Sequence, residues 1–407
     1  MSELRKVYAI VPIMAESAYL PTLLDCLTEQ DYSNFEVVFC VNQPESYWDN
    51  PLKQLVIEDN GLCLNLLNKK FSFKSTVFDR SSKHLGWDNK NYGVGWARKV
   101  PMDYASQQGK PDDLIVSLDA DSVYEPGFLG SIVNSFNTHT SASGLSIPYY
   151  HKLTGDEAID RNILRYEFYM RNYALNMLRI SNPYAFTAIG SGMACTVKHY
   201  KKVNGLTPHK SGEDFYFILK LCKSGYLLRT TPRKVYPSAR YSDRVFFGTG
   251  PALIKGAKGD WNSYPIYPYQ LFDQVKETFD SFSELYISDI DFPMNDFLAT
   301  IFKDKLWWIP LRKNSKNEES FVKACRIKVD ALRILQFLKT NVDVSPSNDE
   351  NNLKHFISTF YKDFNKQNPI ISNLNFQQQS IIALNLLRDF LVETEDNILI
   401  NNPLTSL

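Results

Sequence analysis

The chain has 407 residues, 44% of them hydrophobic and 22% charged, a composition ordinary for a globular protein with room for two domains or one large domain with an extension. Lysine plus arginine and aspartate plus glutamate stand at 45 each, so the balance points neither to nucleic acid nor to anionic membrane. Six cysteines are scattered without a Cys-x-x-Cys pair, and no apolar leader precedes the first strand, so reduced thiols and a cytoplasmic location are expected. No uninterrupted apolar run reaches the ~18 residues that a spanning helix needs.

In chain order, Val7 to Met14 reads as a buried strand, and Ala18 to Gln30 as a helix with apolar residues at helical spacing. Phe35 to Val41 is a second strand, so the chain opens with a strand–helix–strand unit and a parallel pair. Pro51 to Asn68 is expected to be helical and Phe71 to Phe78 a strand. Gly93 and Gly95 mark a loop where backbone can approach a ligand, followed by a helix presenting Arg98 and Lys99 near its start. Leu114 to Leu118 is a strand buried on both faces, running straight into Asp119-Ala120-Asp121. A helix near Gly127 to Asn137, a strand over Gly144 to Tyr150 and a long amphipathic helix over Glu157 to Ile180 follow. Gly190-Ser191-Gly192 is a turn feeding another strand, and Glu213-Asp214 opens a helix for which Ser211 is a candidate cap. Arg229 to Val235 reads as a short strand, and Ser238 to Gly250 as a basic loop. From about Tyr267 helical periodicity takes over, with helices near Ala324 to Thr340, Leu353 to Phe364 and Phe376 to Val392 and a polar loop over Ser345 to Asn352. The expected fold class is α/β, with a mostly parallel sheet in residues 1–266 and a mainly helical region over 267–407.

The chemistry concentrates at Asp119 and Asp121. Ligands of open α/β sheets collect at the carboxyl ends of strands, and two carboxylates held together there call for a positive charge between them. A hard divalent cation, Mn2+ or Mg2+, carrying a diphosphate is the natural occupant. Asp-x-Asp is also short and common, and a solvated strand end would carry it equally well. Arg240 and Arg244 present paired donors suited to a diphosphate, or to surface carboxylates. Glu213-Asp214 fits either helix capping or a catalytic role.

Taken together, Val11-Pro12 with Glu16, Gly93-x-Gly95-x-Ala97-Arg98, Leu118-Asp119-Ala120-Asp121, Gly190-Ser191-Gly192 and Glu213-Asp214 make the stretch from Val7 to Gly250 resemble family 2 glycosyltransferases of GT-A fold. That resemblance implies a sugar transferred from a nucleotide-diphospho-sugar donor to a hydroxyl of a carbohydrate or other glycan-type acceptor, with inversion and with a metal. It implies Asp119 and Asp121 holding metal and donor, Asp214 as base with Glu213 beside it, Pro12 and Glu16 near the nucleobase, and Arg98 near the nucleotide. Arg240, Arg244 or Asp243 would take over the charge neutralisation that a later histidine-held metal supplies in relatives. Two departures stand out. The second strand ends in Val41-Asn42-Gln43-Pro44 where many relatives have an acidic pair, and no histidine lies between His209 and His355. Peripheral membrane association is compatible with such an activity. The alternatives are a nucleotidyltransferase or nucleotide-sugar hydrolase on a similar sheet, a retaining transferase, and a catalytically silent carbohydrate-binding scaffold.

Overall fold

The computed structural model describes residues 4–88, 90–244, 248–343, 346–368 and 371–407. Eight strands form one sheet: β1 (Val7–Ile13), β2 (Phe35–Asn42), β3 (Lys74–Arg80), β4 (Leu114–Ser117), β5 (Ala142–Ser146), β6 (Met193–Thr196), β7 (Tyr226–Leu228) and β8 (Leu404–Thr405). Their order is β3-β2-β1-β4-β6-β5-β7-β8. Neighbours from β3 through β4 are parallel, β6 is antiparallel to both β4 and β5, β7 is parallel to β5, and β8 is antiparallel to β7. The fold is therefore the expected α/β class with a mostly parallel sheet.

The apolar, β-branched runs of β1, β2 and β4 are buried at every position, as strands covered on both faces must be. β3 is partly exposed and carries charged residues at both ends, as suits a sheet edge. The first seven helices are α1 (Leu20–Thr28), α2 (Gln54–Leu67), α3 (Val94–Gln108), α4 (Phe128–Thr138), α5 (Glu157–Arg179), α6 (Val197–Lys202) and α7 (Glu213–Ser224). α1 buries Leu20, Leu23, Leu24 and Leu27, the stripe its periodicity foretells.

The chain divides into two compact units. The first comprises Met1–Thr154, Phe186–Ile254 and Asn402–Thr405; the second comprises Gly155–Ala185, Lys255–Asn401 and Ser406–Leu407. The first holds the sheet. The second is helical and includes α5, whose amino end is capped by the Asp156 carboxylate accepting from the Ala158 and Ile159 amides. Inside it α5 meets the helix Ile381–Asn401 through buried charge: Arg171 pairs with Glu167 at 3.3 Å and Glu395 at 2.7 Å, and Arg388 lies 3.6 Å from Glu167. Arg165 pairs with Asp349 in the same unit. Among the described residues no helix is long and apolar enough to cross a membrane.

Three expectations from the sequence are corrected, and one element is added. Residues 229–235 are not a strand: β7 stops at Leu228, Pro232 cannot donate to a ladder, and Val235 makes only an isolated bridge with Tyr149. The single helix expected over Ala324 to Thr340 is two, Glu318–Lys328 and Ala331–Asn341, because Asp330 is extended and caps the second through the Leu332 and Arg333 amides. The polar loop expected over Ser345 to Asn352 is helix from Pro346 to Phe360, anchored where Asp349 accepts from the Ile266 amide at 2.7 Å and pairs with Arg165; Ser345 lies outside the described residues. Finally, β8 was not foreseen at all.

Candidate active site

β1 and β4 are hydrogen-bonded neighbours, yet the chain builds outward from β1 to β2 and β3 on one side before crossing to β4 on the other. Such a reversal opens a crevice at the carboxyl ends of the strands. Two loops leave there side by side. After β1, Ala15 takes a left-handed conformation (φ 53°), its amide donating to Asn60 Oδ1 at 2.9 Å, and Glu16 follows. After β4 come Asp119 and Asp121, and the Asp119 amide donates to Tyr124 Oη at 2.8 Å. The antiparallel run of β6, with Met193 opposite Ser117, brings Gly190-Ser191-Gly192 to the same edge.

Arg98 sits in the second turn of α3 and is 3% exposed. It is not presented to solvent. Its Nε donates to Ser117 Oγ at 3.0 Å, and its two amino groups pair with Asp119 and with Glu213 at the start of α7. Gly190 is the floor beneath it: a Cβ there would come 2.7 Å from Cζ of Arg98. The glycines at the start of α3 have a different use from the ligand approach expected of them. Gly93 takes φ 106° at the helix cap, and a Cβ on Gly95 would stand 2.6 Å from the His209 amide nitrogen, so the close approach is to the chain's own backbone.

The loop 238–244 closes the other side. Arg240 Nη2 reaches both oxygens of Glu16 (2.7 and 2.8 Å) while its Nε donates to Asp121 Oδ2 at 2.8 Å, and its guanidinium lies 4.2 Å from the Tyr19 ring centroid. Arg244 pairs with Glu16 and donates to the Met14 carbonyl at 2.6 Å. Val245, Phe246 and Phe247 of the expected loop lie outside the described residues.

Of the residues singled out in the sequence, eight thus gather in two pair networks, Arg98 with Asp119 and Glu213, and Arg240 and Arg244 with Glu16 and Asp121, which the segment Asp119-Ala120-Asp121 joins, with Asp214 beside Glu213. Pro12 is apart from them, buried within β1 opposite Cys40. Ser211 is not the cap of α7. Gly212 takes that position at φ 78° and offers no side chain; the Phe215 amide donates to Asp214 Oδ1 at 2.8 Å. Ser117, Tyr19 and Tyr124 escaped the sequence reading, since each contributes through a contact that no local pattern encodes.

Five carboxylates against three guanidinium groups leave this set with a formal surplus of two negative charges. Burial, opposed by Arg98 and reinforced by Asp214, pushes the Glu213 carboxyl up to about 7. Burial likewise raises Asp214, Asp119 and Glu16 above the usual carboxylate range. Burial also opposes the charges on Arg98 and Arg240, but their acidic partners outweigh it and hold both firmly protonated.

The donor set suits a cation that arrives with its own ligands. Asp119 gives Oδ1 to Arg98 and Asp121 gives Oδ2 to Arg240, leaving each with a second oxygen that has no hydrogen-bond partner among the described residues. Among those residues no group of three or more His, Cys, Asp or Glu side chains is gathered as a metal cage. Mg2+-type sites commonly use one or two carboxylates and complete their shell with phosphate oxygens and water.

No family model matches the chain, and no curated protein matches it. Among solved structures it is similar to S. aureus TarS 1-349 in complex with UDP-GlcNAc, at 14% identity over 80% of this chain and 91% of that one, with a TM-score of 0.41. TarS 1-349 in complex with UDP gives 15% identity, coverage of 84% and 94%, and a TM-score of 0.38. The mannosyltransferase PcManGT from Pyrobaculum calidifontis, in complex with GDP-Man and Mn2+, gives 13% identity, coverage of 96% and 88%, and a TM-score of 0.35. At this distance, what those proteins bind is a property of those proteins.

Proposed function

We propose that the protein is a GT-A type glycosyltransferase of the family 2 kind, inverting, metal-dependent and of hexosyltransferase type. It moves a sugar from a nucleotide-diphospho-sugar to an acceptor hydroxyl of a carbohydrate or other glycan. The observation that carries this is the convergence at one sheet edge of Asp119 and Asp121, each with an oxygen to spare, with Arg240 and Arg244 on one side and Glu213-Asp214 on the other.

In this reading Asp119 and Asp121 would hold the nucleotide-sugar diphosphate, through Mn2+ or Mg2+ and the ribose. When bound, the cation supplies Lewis-acid neutralisation of the departing diphosphate. Glu16 orients Arg240 and Arg244 so that their paired N–H groups meet phosphate oxygens as negative charge grows on them. Asp214 accepts the proton of the acceptor hydroxyl as its oxygen bonds to the anomeric carbon and the bond to the diphosphate breaks. Attack from the face opposite the leaving group inverts that carbon. Burial raises the Asp214 carboxyl from its ordinary value, the direction that makes it a stronger base. Glu16 borders the nucleobase side, with Pro12 buried behind it in β1, and residues 1–266 contain every group given a role.

The test is calorimetry with UDP- and GDP-sugars in the presence and absence of Mn2+, followed by a transfer assay. Metal-dependent binding that Asp121→Ala abolishes, without loss of fold, is the expected result. Unchanged metal-dependent affinity in that variant would remove Asp121 from the site.

A further inference from the structure

Arg98 belongs to neither side of the cleft and touches both. It is buried, it rests on Gly190, and its three contacts come from β4, from the loop after β4 and from the first turn of α7. A guanidinium is a rigid planar fork, so the two carboxylates on its amino groups are held in a fixed mutual geometry that a flexible ammonium would not impose.

We propose that Arg98 is a positioning residue that couples donor binding to the acceptor side: one buried positive charge is shared between Asp119 and the Glu213-Asp214 pair, so what one side binds alters what the other holds. Resting on the functional reading above, the coupling has a definite sign. A cation engaging Asp119 draws on that carboxylate's charge and leaves Arg98 more fully to Glu213. Conversely, removing the charge of Glu213 leaves Arg98 wholly to Asp119, where it competes with a cation. Such coupling is reciprocal by thermodynamic necessity.

The experiment is a double-mutant cycle on the full chain, using ADP, CDP, GDP and UDP as probes with and without Mn2+ and reading affinity by calorimetry. Glu213→Gln is expected to lower the Mn2+-dependent part of the affinity by about 2- to 160-fold, the range of coupling between residues in one network. Arg98→Lys loses the fork that holds the two carboxylates and should alter the Mn2+ dependence, and in the Arg98→Lys background the Glu213→Gln step should have little further effect. Gly190→Ala keeps every charge but drives a methyl into the guanidinium, and it should shift the Mn2+ dependence the same way; it stands in where Arg98→Lys fails to fold. Additive effects in the cycle, or an unaltered Mn2+ dependence in Gly190→Ala, would overturn the coupling and leave the nucleotide site standing. A parent chain that binds none of the probes in either condition would overturn the functional reading and the coupling with it.

Discussion

Asp214 sits in the first turn of α7 behind a glycine cap, where a carboxylate also stabilises the helix dipole by about 0.3–1 kcal/mol. The two roles separate in Asp214→Asn. An amide keeps the shape but takes up no proton at working pH, so turnover should fall by about two orders of magnitude or more while donor affinity and Tm stay close to the parent. Transfer within a few-fold of the parent would leave Asp214 with helix stabilisation alone. Glu213 gives a pH signature. Its folded pKa of about 7 lies above its ordinary value of 4.5, so the stability it contributes is complete below about 4.5 and is lost as pH rises through about 7. The urea midpoint of the parent should therefore fall across that window more steeply than that of Glu213→Gln; parallel profiles would mean an ordinary carboxylate. The carboxylates themselves were legible in the sequence because each motif is local. The partners of Arg98 were not, because its bonds span 19, 21 and 115 residues and only folding decides between them.

Among the elements, the strands of the parallel core were the most readable, since a β-branched run buried on both faces leaves little else to be. The helical region was less so. Periodicity runs through Val329 and Asp330 without a break in apolar spacing, and the break comes from the Asp330 side chain bonding two amides. Asp330→Ala should cost about 1 kcal/mol, seen as a lowered Tm, with Asp330→Asn close to the parent because asparagine caps nearly as well; equal loss in both would point to the aspartate's charge instead. The stretch after Ser345 misled because its composition is that of a loop. Its helix is held by tertiary contacts, the Asp349–Arg165 pair, the Asn352 bond to the Ile266 carbonyl and the buried Leu353, Phe356 and Ile357, which override local preference. Proteolysis is accordingly not expected to begin within Pro346–Phe360.

For the whole molecule, the second unit places four charged side chains in its interior between α5 and Ile381–Asn401. Glu167→Ala takes one buried carboxylate from Arg171, which keeps Glu395, and from Arg388, which keeps Asp389, and should cost about 1.5–3 kcal/mol by urea denaturation. A loss below 1 kcal/mol would mean water reaches the network. The sequence pointed to a helical region after Tyr267, but not to α5 belonging with it, since that helix lies between strands of the sheet in chain order and only its contacts assign it. Nor did it point to the return of residues 402–405 to the first unit, where Arg229 Nη2 donates to the Asn402 carbonyl at 2.7 Å and its amide to the Pro403 carbonyl at 2.9 Å. Removing 402–407 should lower Tm through the loss of about 1–3 kcal/mol of pairing, and an unchanged melt would show β8 to be dispensable.

That return has a consequence for biosynthesis. Leu228 and its partner Leu404 are 176 residues apart in the chain, so a ribosome adding ~5–20 residues per second finishes β7 some ~9–35 s before β8 exists. During that interval the nascent sheet presents an unpaired border, the kind of template on which neighbouring chains can join. β7 is only three residues long, which keeps that template short. The order of translation thus delays the closing of this border of the sheet, and a ribosome-stalled chain ending before residue 402 should be more prone to self-association than one that includes β8.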